Sequence, residues 1–291
     1  MKESRYGYFF IAPCVLIILF VLGFPVLYVI GISFFKYRPL ISMEWTGVKN
    51  YIDVLRNPSF LKALSNTFVF SINSVAFHVV LGMGAALILN MNFRGRIVLR
   101  TLYLLPWMLS YVVGSITWRW MLNGSYGILN EILMRASLIE SYRAWLGDPA
   151  YAMFFVVLAN IWKQFPFVML MFIAGLQSIP TELYEAARID GAGDFKCFFS
   201  ITLPSMKQVV IITATLDFIW SFKQFDLISI MTGGGPGNST EVLSTLIHQL
   251  FFNAFNFGQA SATAVMLLII VILVSLLYAR LLLSEKDGGD F

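Results

Sequence analysis

The side chains of this chain that could do chemistry suit recognition better than bond-breaking. Asn160, Lys163, Gln164 and Phe167 recur at i, i+3, i+4 and i+7, so a helix would present them on one face. Asp217, Trp220, Ser221 and Gln224 repeat the theme, with Lys223 and Asp226 spaced i, i+3 as for an ion pair. Aromatic rings beside amides and charges suit a sugar, whose C–H faces stack on rings while its hydroxyls exchange hydrogen bonds. The bland alternative is structural: Lys163 snorkels, or pairs with Asp217 between neighbouring helices. A third stretch, Thr232-Gly233-Gly234-Gly235-Pro236-Gly237-Asn238-Ser239-Thr240, invites a phosphate-loop reading and fails it. A P-loop needs a lysine before the Ser/Thr, and this run has none. No nucleophile–base pair is visible. His78 and His248 are too few and too far apart to suggest a metal site, and Cys14 and Cys197 are not expected to meet in a disulfide.

The elements that must position these groups follow from composition. The chain is 58% hydrophobic and 12% charged, with a mean hydropathy of +0.78. A soluble domain carries about 25% charged residues. Apolar runs long enough to cross a bilayer's hydrocarbon, about 20 residues each, recur along it. They predict six spans near 8–35, 64–90, 101–121, 151–177, 208–231 and 260–283. Pro25 should kink the first span, and Pro166 should bend or break the fourth beside Lys163. A lysine at mid-membrane depth is expensive unless paired or facing water, and a broken helix with midplane polar groups marks a transporter cavity. The small residues Gly82-Met83-Gly84-Ala85-Ala86 read as helix packing. Trp45, Tyr51 and Phe60 suit an amphipathic interfacial segment after span one, and 121–149 should hold a short surface helix near Ile128–Ala136.

Between spans four and five lies a mostly polar interruption. Pro180 is tolerated in a helix's first turn, Thr181 can cap it, and Glu182 and Glu185 favour the positive end of its dipole. Leu183, Ala186, Ala187 and Asp190 fall on one face, kept thin by the alanines so that another protein's backbone could approach. Gly191 suits a left-handed stop, and Asp194 can cap a second short helix bearing Phe195, Phe198 and Phe199. Arg94, Arg96 and Arg100 cluster after span two, whereas 232–259 holds no Lys or Arg. That contrast favours both termini inside.

The spacing Glu185-Ala186-Ala187, three residues, Gly191, nine residues, Ile201-x-Leu203-Pro204 resembles the cytoplasmic EAA loop of permease subunits of binding-protein-dependent ABC importers. The tract Trp45–Tyr51, with Asn57-Pro58-Ser59-Phe60 and Asn66-Thr67, resembles the lead into the core of carbohydrate-type permeases. The Thr-Gly-Gly-Gly-Pro run and Asn256–Ala262 resemble the maltose-type first permease. The resemblance implies an all-α membrane protein of the type I ABC importer permease fold. Its parts would be a first helix and external loop (1–62), a five-helix core (63–283, EAA loop 178–207) and a polar cytoplasmic tail (284–291) expected to be disordered. Glu182, Leu183, Glu185, Ala186, Ala187, Asp190 and Gly191 would couple to an ATPase. Asn160, Lys163, Gln164, Phe167, Asp217, Trp220 and Gln224 would line the pathway. Gly234, Gly235, Pro236 and Asn238 would dock a binding protein.

The expected partners are a second permease, two copies of an ABC ATPase, an extracytoplasmic solute-binding protein and the lipid of a bacterial inner membrane, with no nucleic acid. No cofactor is expected on this chain; ATP and Mg would belong to the ATPase. The cargo would be a sugar, or alternatively a glycerophosphate or polyol. A proton-coupled secondary carrier, a membrane enzyme and a membrane scaffold are the rival classes.

Overall fold

A computed structural model describes residues 2–286, and the structural statements here concern those residues. Most of the polar tail expected from Ser284 onward lies outside them. The chain divides into two compact units. One contains the residues up to Leu61 together with Leu246–Ile270; the other contains Lys62–Thr245 and the residues from Val271. Five helices are long and apolar enough to cross a membrane, or six if one sharply bent pair counts as a span.

In the first unit, α1 (Lys2–Ile18) passes through a π turn, Leu19–Gly23, into α2 (Phe24–Ile32). Pro25 has no N–H to offer the carbonyl of the preceding turn. The wider turn just before it absorbs that gap, with Phe24 N–H bonding back to the Leu19 carbonyl. The segment beyond contains the amphipathic stretch expected from its aromatic residues, at Lys49–Arg56, but only after a pair of strands that the sequence did not announce. It forms an antiparallel hairpin, β1 (Phe35–Arg38) and β2 (Ser42–Trp45), followed by α3 (Lys49–Arg56). The alternation Phe35, Tyr37 on one face and Lys36, Arg38 on the other is a strand period, and Leu40 takes a left-handed φ of 65° in the turn. Asn50 Nδ2 fixes the hairpin by donating to the carbonyls of Ser33 and Phe35, each at 2.8 Å.

The second unit holds most of α4 (Pro58–Asn90) and then departs from expectation at the third span. That span starts at Arg96 rather than 101, and it is α5 (Arg96–Met108) and α6 (Tyr111–Met121) bent by 93°. Leu109 is extended, and Ser110 caps α6 by accepting from Val113 N–H at 3.2 Å. A surface helix, α7 (Ile128–Arg135), forms where the sequence suggested. The fourth span, α8 (Ala152–Gln177), runs uninterrupted through Pro166. The break expected there lies in the third span instead.

After α9 (Thr181–Ile189) come α10 (Asp194–Cys197), a π turn at Phe198–Thr202 and α11 (Leu203–Phe222). The expected second short helix of the polar loop is therefore the first turn of a 29-residue span, Asp194–Phe222. That span ends nine residues before the predicted 231. The remainder is a separate short helix, α12 (Asp226–Met231), with Leu227, Ile228 and Met231 buried. α13 (Leu243–His248) and α14 (Phe257–Lys286) are the last helices among the described residues.

Association between helices in lipid rests on close contact rather than on expelling water, so small residues matter where backbones approach. At Gly82 of α4 an added Cβ would lie 2.8 Å from Val168 Cγ1 and 3.2 Å from the Met169 amide nitrogen. Gly84 meets nothing within 4 Å, so only the first of that pair is a packing glycine. Gly175 does the same for α8 against Met206. Around these contacts Leu89, Val168, Met169, Phe172 and Met206 form a buried cluster, with Tyr184 of α9 packed at its margin.

Candidate functional site

The polar loop is a short exposed helix closed by a left-handed glycine. Pro180, not Thr181, is the N-cap of α9; its extended backbone turns the chain, and no side chain caps the helix. At the other end the stop is a Schellman motif. Gly191, at φ +80°, donates to the Arg188 carbonyl at 3.0 Å, and Ala192 donates to Ala187 at 2.9 Å. Gly193 rather than Asp194 occupies the cap of the next helix; Asp194 instead accepts from Arg188 Nη2 at 3.5 Å. Tyr184 is turned inward, its hydroxyl 2.8 Å from Thr202 Oγ1, and Ala187 is half-buried on the same side. That leaves Glu182, Leu183, Glu185, Ala186, Ile189 and Asp190 exposed, Ile189 at 86%.

The expected pathway residues separate into two sets. Lys163 does not pair with Asp217. Its ammonium donates to the carbonyls of Leu109 (2.7 Å), Trp107 (3.1 Å) and Pro106 (3.4 Å), and it lies 4.6 Å above the Tyr111 ring. These carbonyls lost their helical donors where α5 breaks, and a cation at a helix C-terminus answers both the missing hydrogen bonds and the dipole. Asp217 pairs instead with His78: Oδ2 and Nδ1 are 2.7 Å apart and both side chains are fully buried. The other ring nitrogen of His78 faces the Asn160 carbonyl at 3.2 Å. No ion pair joins Lys223 to Asp226 among the described residues, because the helix ends at Phe222 and the i, i+3 geometry is lost.

Gln164, Trp220 and Gln224 do converge. Together with Trp107, Tyr111, Lys223, Phe225 and Asp226 they line a cavity of about 400 Å³. Phe167 backs it, its ring 4.9 Å from that of Trp220 and 6.0 Å from that of Trp107. Tyr111 donates to Gln164 Oε1 at 3.3 Å. Lys163 and Asp217 are not part of this lining. Trp107 and Tyr111 were not anticipated, since they flank a break that hydropathy does not reveal.

The glycine-rich loop is ordered. Gly233, Gly234, Gly237 and Asn238 all have positive φ, and the Gly235–Pro236 bond is cis. Thr240 Oγ1 lies 2.7 Å from Thr232 Oγ1 and donates to the Gly235 carbonyl at 2.7 Å. Asn66 Nδ2 of α4 donates to the carbonyls of Asn238 (3.0 Å) and Glu241 (2.8 Å), and Thr67 Oγ1 accepts from Leu243 N–H at 2.9 Å. Asn66 and Thr67 thus hold the loop from 172 to 176 positions away, a role no local pattern announces. Of the residues expected to dock a partner, Asn238 is exposed, Gly235 and Pro236 are half-buried and Gly234 is buried.

Residues 78–283 match the family described as binding-protein-dependent transport system inner membrane component. The chain is 38% identical over 287 residues to the trehalose/maltose transport system permease protein MalF of Thermococcus litoralis, covering 98% of this chain and 96% of that one. It is 32% identical over 277 residues to the sulfoquinovosyl glycerol transport system permease protein SmoG of Agrobacterium fabrum, covering 94% and 89%. Its fold matches a chain of the bacterial alginate ABC transporter in complex with an alginate pentasaccharide-bound periplasmic protein, at TM-score 0.84 and 22% identity over 99% of this chain and 96% of the other. The chain belongs to the family of binding-protein-dependent transport system inner membrane components.

Proposed function

We propose that this permease and a second, different permease form one pathway for a sugar, driven by two copies of an ATPase below and supplied by a solute-binding protein from outside. The observation that carries the sugar reading is the cavity in which two indoles, Trp107 and Trp220, meet two amides, Gln164 and Gln224. Rings offer faces to C–H groups, and amides offer both donors and acceptors to hydroxyls. The relatives named for trehalose/maltose and for sulfoquinovosyl glycerol support a carbohydrate cargo. The exposed α9 is the lever: its rigid stop at Gly191 and its anchor through Tyr184 let a push on Glu185 and Ala186 travel into α8 and α11. On this reading ATP and Mg are bound by the ATPase, both termini face the cytoplasm, and the glycine-rich loop with exposed Asn238 faces the binding protein.

The test is uptake into vesicles holding the reconstituted complex, across a panel of labelled mono- and disaccharides. Trp220→Ala and Gln164→Ala should each raise the KM for the transported sugar at least about tenfold, the size expected when one good contact of about 1.4 kcal/mol is lost. Uptake that follows a proton gradient without ATP would replace this reading with a secondary carrier.

A further inference from the structure

We infer that the hairpin and α3 of the first unit form a binding site for the headgroup of an anionic phospholipid, with the hairpin tip lying in the acyl region beside it. Lys36, Arg38, Thr46, Lys49, Asn50 and Asp53 are among the residues lining a cavity of about 200 Å³. Three cations there face one carboxylate. Glu44 stands opposite Lys36 across the strand pair, but no ion pair joins them among the described residues, so the cations are not consumed within the hairpin.

The second observation is independent of charge. Leu40 is fully exposed at the turn with Ile41 (77%) beside it, and exposed apolar side chains continue along β2 through Met43 (57%) to Trp45 (66%) at the open end of the strand pair. Water is a poor solvent for four such side chains on one small hairpin, and an apolar tip rimmed by Lys and Arg is the pattern of an interfacial anchor.

Position selects the bilayer as the occupant. The membrane span Phe10–Ile32 has exposed apolar side chains along its length, among them Leu27 and Tyr28, and only two residues separate its end from β1. The hairpin therefore begins where the span leaves the hydrocarbon, at headgroup depth, where Trp is favoured. The scaffold is also stiff enough to hold a site. Gly258 brings the backbone of α14 against the hairpin, since an added Cβ would meet the Phe35 carbonyl oxygen and lie 3.2 Å from the Tyr37 nitrogen. The Tyr37 and Phe257 rings pack edge to face at 5.4 Å. The proposal does not depend on which solute is carried.

The test extracts the assembled transporter from vesicles of equal phosphatidylglycerol and phosphatidylcholine and reads the retained lipid by native mass spectrometry. Wild type should retain phosphatidylglycerol in preference. The variant carrying Lys36→Gln, Arg38→Gln and Lys49→Gln should hold it roughly a hundredfold more weakly, at about fivefold per basic side chain. Equal retention by the two proteins overturns the site. Loss of binding-protein docking with lipid retention unchanged also overturns it, in favour of a protein contact. Displacement of the lipid by millimolar inorganic phosphate would mark a small-anion site and overturn the lipid assignment. Independently of the variant, a fluorophore on Leu40→Cys, in a Cys14→Ser, Cys197→Ser background, should be quenched by lipids brominated in the upper acyl chain. An unquenched tip excludes the anchor.

Discussion

Ionisable side chains meet opposite fates on α9 and in the layer formed by α4, α8 and α11. On α9, Glu182, Glu185 and Asp190 are exposed and have no ion pair among the described residues. In the layer, His78, Lys163 and Asp217 are buried, and each has a partner supplied by another helix. Burying a charge in a medium that cannot hydrate it is tolerable only with such a partner. The difference separates the ionisable groups that hold the fold together from those that the fold leaves exposed. A residue's type does not decide this: Lys163 sits next to Gln164 on a cavity-forming helix, yet its ammonium is spent on the carbonyls of a broken neighbour.

The sharpest way to break the comparison is to remove a partner inside the layer. Lys163→Met should leave the Trp107 and Leu109 carbonyls without donors, at roughly 1–3 kcal/mol each. Removing His78 alone should cost about 3–5 kcal/mol by stranding Asp217. Both variants should depress the thermal unfolding temperature of the detergent-purified complex and its yield, whereas His78→Leu with Asp217→Leu together should recover most of the loss. A Lys163→Met protein of unchanged stability that only binds sugar less well would return that lysine to the cavity.

On α9 the same kind of change should leave stability alone and abolish work. Glu185→Lys should drop ATP-driven uptake to background while the unfolding free energy moves by less than about 0.5 kcal/mol, the range of exposed substitutions. Measuring uptake, ATPase rate and complex recovery together separates lost coupling from lost assembly. If Glu185→Lys transports normally, α9 is not the lever.

Gly191 links the two regimes because its role is conformational. A β-branched side chain at φ +80° is strained by about 1–2 kcal/mol even though nothing lies within 4 Å of the added Cβ. Gly191→Val should therefore reduce uptake partially, by altering where α9 ends, and Gly191→Asn should restore much of it, since asparagine tolerates the left-handed region. Equal uptake by all three would show that the Schellman stop is dispensable.

What could be read before the structure divides along the same line. The α9 loop was legible because its information is local: a helix start, an alanine pair and a glycine stop within one short stretch. The spans were legible because hydrocarbon imposes length and composition. The pairs inside the layer were not. His78 and Asp217 are 139 positions apart, and two histidines in a chain argue against a metal but say nothing about a buried hydrogen bond to a carboxylate. The 93° break between α5 and α6 was hidden because Leu109 and Ser110 barely interrupt an apolar run, whereas Pro166, the louder signal, sits in a continuous helix. Proline removes one hydrogen bond, which a packed helix tolerates. The break at Leu109 frees several, and it persists because Lys163 arrives from another helix to satisfy them.

Glu241 is neither displayed nor paired, and so gives the finest test. It is 1% exposed, and neither carboxylate oxygen has a hydrogen-bond partner among the described residues, although its backbone carbonyl accepts from Asn66. Burial pushes its carboxyl above the usual carboxylate range. The folded protein therefore holds a proton there at pH values where the unfolded chain has released it. Stability from this group is complete below the ordinary carboxylate range and is lost as pH rises through the higher folded value. Glu241→Gln keeps the shape and cannot ionise, so its unfolding temperature should lie about a few degrees above wild type near neutral pH and converge with it in acid. Unfolding temperatures of both proteins from pH 4 to 8 decide the matter. Parallel profiles would mean that the Glu241 carboxylate finds a counter-charge in the assembled transporter, placing it with the displayed charges of α9 and not with the buried ones.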